Sequence, residues 1–174
     1  QYFMEKLVIK DNFFNNPDEI REIALCTSYN TPEQLSKKVG WKGFRSNELR
    51  ILNNSILNKA SEYLKKHLND KFEMDNLNVY SYFHISLNST KDTLVNFEKD
   101  KWHCDFSKYA GIIYLSPNPP KDTGTTIIID DAPLKVENYY NRMMAYPAHY
   151  YHAPTDLFGD DNKSGRLTFT FFIK

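Results

Sequence analysis

The sequence predicts an α+β domain, mainly β, with a barrel or sandwich core. Two amphipathic helical segments come early, and from about residue 76 short strands separated by turn residues follow one another along the chain. Tyr and Phe, 12 of each, dominate the aromatic content and favour strands. With 174 residues, 41% of them hydrophobic, the chain can bury a core without staples. One domain is therefore expected over 1–174, with a helical lead-in to about 75 and a β core over about 76–174.

The lead-in opens with a short apolar strand, Lys6 to Ile9. Asn15-Asn16-Pro17-Asp18-Glu19 then reads as a helix start: Asn16 can cap, Pro17 suits the first helical position, and two acids sit at the positive end of the dipole. Ile20, Ile23 and Ala24 form the stripe that this helix buries. Thr31 to Asn47 is polar, punctuated by glycine and carries Trp41 and Phe44, so it reads as a loop, closing over a pocket or pinned to the surface. A second helix is expected from about Ser55 to Leu68, where Ile56, Ala60, Tyr63, Leu64 and Leu68 recur at three- and four-residue spacing. Leu77 to Leu87 alternates as a strand, with Val79, Ser81, Phe83 and Ile85 on one face and Tyr80, Tyr82, His84 and Ser86 on the other.

Asn88 to Lys101 is polar and reads as a mobile connection. Strands follow at Tyr109–Ser116 and Thr125–Ile129, the second ended by an Asp130-Asp131-Ala132-Pro133 turn. Asn141–Pro147 and Tyr150–Ala153 form a strand pair or one bent strand, and Leu157–Gly165 is an acidic loop. Arg166–Ile173 closes the chain as an alternating strand.

Composition narrows the function classes. Lys plus Arg, 22, balance Asp plus Glu, 22, which argues against an electrostatic grip on nucleic acid or on an anionic membrane. No apolar run reaches membrane-spanning length, and Gln1-Tyr2-Phe3 does not resemble a signal peptide. Cys26 and Cys104 offer no disulfide framework, the usage expected of a reduced, cytoplasmic protein.

The chemistry concentrates in Trp102-His103-Cys104-Asp105. On a strand His103 and Asp105 point the same way, and an imidazole and a carboxylate so placed can share one metal ion. They would supply two ligands of a 2-His-1-carboxylate facial triad, which leaves open positions on a non-haem Fe(II). Tyr146-Pro147-Ala148-His149-Tyr150-Tyr151-His152 offers two candidates for the third ligand. His149 and His152 are three apart, so in an extended segment they face opposite ways and would not bind the same ion. On the last strand Leu167, Phe169, Phe171 and Ile173 share an apolar face, while Arg166, Thr168 and Thr170 share the other. A guanidinium there suits an anion, since its planar fork holds a carboxylate with two parallel bonds; a solvated edge strand is the plainer alternative.

Taken in order, these pieces resemble the 2-oxoglutarate- and Fe(II)-dependent oxygenases, in particular the prolyl-4-hydroxylase-like members. The resemblance rests on His103-Cys104-Asp105, Ile113-Tyr114-Leu115-Ser116, Gly124-Thr125-Thr126, Tyr146-Pro147 before His152, and Arg166-Leu167-Thr168, and it covers roughly Leu77 to Ile173. It implies a double-stranded β-helix of the jelly-roll or cupin-like kind. It also implies Fe(II) held by His103, Asp105 and His152, with His152 preferred to His149. 2-Oxoglutarate would be the cosubstrate, with Arg166 at its far carboxylate, Tyr114 assisting, Thr168 a further cofactor-binding residue and Tyr82 another candidate for the same pocket. The implied reaction consumes O2, releases succinate and CO2, and hydroxylates a C–H bond of a peptidyl, amino-acid or small-molecule substrate. The carboxylate ligand Asp105 favours hydroxylation over halogenation. Two other readings share the same motifs: a cupin-like metalloprotein using Zn or Mn for hydrolysis or isomerisation, and a binding domain that has lost its chemistry. Tyr29, Trp41, Phe44, Trp102, Phe106, Tyr139, Tyr140, Tyr150 and Tyr151 are the aromatic candidates for a substrate pocket.

Overall fold

The final strand, residues 166–173, sits at the centre of the larger of two sheets, and its two faces meet different surroundings. A computed structural model describes residues 7–35 and 39–174. The readings made at Gln1-Tyr2-Phe3 and at Lys6 lie outside the described residues, as do positions 36–38 of the 31–47 loop. In chain order the elements are β1 (Val8–Lys10), α1 (Pro17–Leu25), β2 (Tyr29–Asn30), a 3₁₀ turn (Pro32–Gln34), β3 (Phe44–Ser46), α2 (Leu49–Leu52) and α3 (Asn54–Leu68). They continue with β4 (Val79–Ser86), α4 (Asn88–Lys91), α5 (Phe97–Asp100), β5 (Tyr109–Tyr114), β6 (Thr125–Ile129), β7 (Ala132–Val136), β8 (Met143–Pro147), β9 (His152–Pro154) and β10 (Arg166–Ile173).

The strands form a seven-stranded sheet in the order β1-β8-β5-β10-β4-β3-β2 and a three-stranded sheet in the order β7-β6-β9, antiparallel throughout. On one side of the large sheet, Phe83, Ile85, Leu167, Phe169, Phe171 and Ile173 are fully or almost fully buried against α1 and α3, which contribute Ile20, Ala24, Leu57, Ala60, Leu64 and Leu68. On its other side the large sheet meets the small one through a second apolar cluster that includes Ile112, Tyr114, Ile127, Val136 and Met144. Alternation along β4 and β10 thus separates a helix-packed core from the space between the sheets.

Side chains cap two of the helices, α3 and α5. The Asn53 side chain caps α3 by accepting from the Ile56 N–H at 3.2 Å. Asn16 occupies the N-cap position of α1, but its amide donates to Glu19 Oε2 at 2.9 Å and does not cap the backbone. Four local readings are corrected. The 31–47 segment holds β3, which pairs with β4, and the 88–101 connection holds the short helices α4 and α5. The turn after β6 is Asp130-Asp131 alone, because Ala132 and Pro133 begin β7. Pro133 is tolerated there because β7 is an edge strand that need not use every N–H. Finally, β8 and β9 are neither a pair nor one bent strand: they belong to different sheets, joined by the turn that carries His149.

Candidate active site

His103 does not lie in a regular strand. It makes an antiparallel bridge to His152, with N–H to carbonyl bonds of 3.0 Å in both directions, so the segment lies beside β9 at the edge of the small sheet. Directly paired residues bring their side chains together, and the two rings sit 4.4 Å apart between centroids. Asp105 is fixed separately by its N–H donating to the Ala148 carbonyl at 2.9 Å. One ligand atom from each of His103, Asp105 and His152 lies within 4.8 Å of the others. His149 stays exposed on the turn, where its carbonyl accepts from the Cys104 thiol at 3.2 Å.

The ring nitrogens show how the cluster is oriented. Nδ1 of His103 faces the Lys101 carbonyl at 3.0 Å, and Nδ1 of His152 faces the Tyr150 carbonyl at 2.9 Å. These partners assign the Nδ1–H tautomer to both rings and turn both Nε2 lone pairs inward. Burial and the neighbouring His152 lower the His103 pKa from its ordinary value, which favours the neutral ring. The two Nε2 atoms face the Asp105 carboxylate at 3.9 and 3.3 Å, and a neutral ring there sets acceptor against acceptor. A cation between them relieves that conflict, and two imidazoles with one carboxylate are a donor set that suits Fe(II).

The cluster stands at a cavity of about 620 Å³ between the sheets. Arg166 reaches this cavity from β10 and is 6% exposed. Its Nε donates to the Thr123 carbonyl at 3.1 Å, and its Nη2 donates to the Gly124 carbonyl at 3.1 Å and to Thr125 Oγ1 at 3.2 Å. Burial lowers its pKa, and among the described residues no carboxylate pairs with it. A buried cation fixed by neutral acceptors is poised for an anion. Tyr114 lies beneath: its hydroxyl shares Thr125 Oγ1 at 2.8 Å, and the guanidinium carbon is 5.5 Å from its ring centre.

Thr168 lines the cavity next to Arg166 on the same face of β10. Tyr82 also lines it but pairs in register with Thr170, about 13 Å along the sheet from the row of Arg166. Sequence reasoning missed Thr125 as a partner of the guanidinium. It also missed the placement of Arg45 and His84 at the cavity, whose only sequence signal was that His84 alternates onto the cavity face of β4. Tyr146, read only as part of an aromatic-Pro step, lines the cavity with its ring 4.7 Å from that of His152.

Fold and site together define a class: the chain has the double-stranded β-helix fold of the 2-oxoglutarate/Fe(II) oxygenases, with a His-Asp-His cluster at its cavity. Among solved structures it is similar to a prolyl-4-hydroxylase from Pseudomonas putida, with a TM-score of 0.58, 9% identity, and coverage of 98% of this chain and 93% of that one. It is likewise similar to EctD from S. alaskensis, solved with 2-oxoglutarate and 5-hydroxyectoine, with a TM-score of 0.58, 10% identity, and coverage of 97% and 71%. A third is the viral collagen prolyl hydroxylase from Paramecium Bursaria Chlorella virus-1 in complex with 2-oxoglutarate, with a TM-score of 0.52, 11% identity, and coverage of 96% and 94%. No protein-family model matches the sequence, and no curated protein matches it. No helix among the described residues is long and apolar enough to cross a membrane.

Proposed function

We propose that the protein is a non-haem Fe(II)- and 2-oxoglutarate-dependent dioxygenase that hydroxylates a C–H bond of a small-molecule, amino-acid or peptidyl substrate. The observation that carries this reading is one cavity with inward-turned His103 and His152 Nε2 atoms beside Asp105, and a buried, carboxylate-free Arg166. In this reading His103, Asp105 and His152 hold Fe(II), and Arg166 pairs with the carboxylate of 2-oxoglutarate remote from the metal. Bound iron with this cosubstrate supplies O2 activation coupled to loss of CO2 and formation of succinate.

The chain's own residues do the remaining work. The Lys101 and Tyr150 carbonyls orient the two imidazoles with Nε2 toward the Asp105 carboxylate. Thr123, Gly124 and Thr125 spend two of the three Arg166 nitrogens on orientation, which sets the direction from which an anion approaches. Thr168 lies two residues along β10 from Arg166, within reach of the same carboxylate. Tyr114 and Thr125 form the base of that subsite. Ile112 and Tyr146 form the wall of the cavity on its β5 and β8 side.

Anaerobic addition of Fe(II) and then 2-oxoglutarate to metal-free protein tests the reading. The expected result is a weak visible charge-transfer band. Arg166→Ala should raise the 2-oxoglutarate concentration needed for the band at least tenfold while leaving Fe(II) affinity unchanged, since truncating one side of a buried charge pair costs about 2–5 kcal/mol. Iron binding without a band would move the assignment to a cupin-like metalloprotein, and absence of metal binding would leave a binding domain.

A further inference from the structure

A second arginine faces the same cavity from a different strand. Arg45 lies on β3, directly across from His84 on β4, which in turn lies across from Thr168 on β10. Arg45 and Arg166 are thus separated by two strand spacings and a two-residue step, about 12 Å between backbones. The Arg45 Nε donates to His84 Nδ1 at 3.2 Å. Its guanidinium carbon sits 5.1 Å from the Trp41 ring centre, 5.3 Å from that of Tyr82 and 5.8 Å from that of Phe172. No carboxylate pairs with it among the described residues.

Such a placement is costly unless something anionic completes it. Burial lowers the Arg45 pKa to about 10, so the group stays protonated at neutral pH despite its surroundings. Burial also pushes His84 well below its ordinary value, so the ring is neutral and can accept from the guanidinium but cannot neutralise it. Stacking on aromatic faces offsets part of the desolvation and orients the planar fork, leaving its Nη groups for a ligand. The wider cavity agrees: its lining holds the cations Lys42, Arg45, Lys101, Arg166 and Lys174 but the carboxylates Asp100 and Asp105 alone, in a chain of zero net charge. Lys101 is neutralised by Glu98 at 2.8 Å, and Asp105 belongs to the metal cluster, yet a cationic excess remains. One 2-oxoglutarate dianion has a single remote carboxylate, which Arg166 takes in the proposed function.

We propose that Arg45, cradled by Trp41, Tyr82 and His84, binds a carboxylate of the primary substrate, and that this substrate carries an apolar body. The proposal rests on the oxygenase reading for the word substrate, but the carboxylate subsite stands on Arg45 and its neighbours alone. The apolar body follows from the cavity walls, where Trp41 and Phe172 stand against the guanidinium and Leu94, Phe97 and Trp102 line the same cavity. Anchoring one end of the substrate on β3 restricts which C–H bond is presented to the metal cluster, so Arg45 also determines regiospecificity.

The test is calorimetric titration of the Fe(II)-loaded protein, without O2 and with saturating 2-oxoglutarate to fill the Arg166 subsite. The probes are phenylacetate and its neutral analogue phenylacetamide. Wild type should bind phenylacetate at least tenfold more tightly than the amide. Arg45→Gln should bring the acid down to the level of the amide, and Arg45→Lys should restore part of the difference. The charge-transfer band should keep its 2-oxoglutarate dependence in both variants. Equal binding of acid and amide by wild type, which needs no variant to fold, would overturn the proposal. Loss of the band in Arg45→Gln would also overturn it, since Arg45 would then belong to the cosubstrate. Absence of the band in wild type, with acid binding still dependent on Arg45, would support the carboxylate subsite and remove the oxygenase reading alone.

Discussion

His84 shows how a single residue ties the site to stability. It lies in the row Arg45, His84, Thr168 across three strands, with a guanidinium donating to one ring nitrogen. Burial, then the Arg45 and Arg166 charges, push its pKa well below the ordinary value near 6.5. In the unfolded chain the ring takes up a proton near that value, while in the fold it does not. The unfolded state therefore binds more protons below the ordinary value, and stability falls as pH drops through it. The limiting slope is one proton's worth, about 1.4 kcal/mol per pH unit. Denaturant midpoints between pH 7 and pH 5 should fall less steeply in His84→Asn than in wild type, and parallel slopes would show that other groups carry the linkage. The same logic explains why the functional potential of Arg45 was not legible in the sequence: between Phe44 and Ser46, an arginine looks like any residue of a polar loop.

At the scale of elements, turn chemistry decides how the small sheet is built. Asp130 and Asp131 have φ of 51° and 60°, the left-handed pair that a two-residue hairpin of the primed type demands. Aspartate tolerates that region at a cost, and Asn-Gly fits it better. Replacing the pair by Asp130→Asn with Asp131→Gly should stabilise the protein by about 0.5–1 kcal/mol, read as a higher urea midpoint at unchanged slope. A lower midpoint would mean that the carboxylates do something beyond forming the turn. Gly43 plays the opposite part at β3. Its φ of 86° and a Cβ position only 2.6 Å from the Ile85 carbonyl leave no room for a side chain, so β3 lies close enough to β4 to set Arg45 beside His84.

For the whole molecule, a metal ion on the His103, Asp105 and His152 cluster would also act as a clasp. His103 and Asp105 precede β5 of the large sheet, whereas His152 belongs to β9 of the small one. An ion held by all three would cross-link segments about 50 residues apart in sequence, and it would bind the folded state alone. At a hundredfold excess over its dissociation constant such an ion adds about 2.7 kcal/mol. Scanning calorimetry without O2 should then show Fe(II) raising Tm by about 5–10 °C. Chelator should reverse the rise and Asp105→Asn should abolish it. An unchanged Tm would remove the cross-link.

Helices and strands whose pattern repeats locally are legible from the residues alone. The three- and four-residue spacing of α3, the alternation of β4 and β10, and the two-residue step from Arg166 to Thr168 are set by covalent neighbours. Any fold that uses those elements inherits them. Tertiary structure decided what depends on register and on sheet membership. It separated β8 from β9, made residues 44–46 a strand, drew His152 to His103 while leaving His149 on a turn, and lined up Arg45, His84 and Thr168. The reason is physical: pairing register follows from burying whole apolar faces at once, and a short polar segment carries too little of that burial to announce its partner.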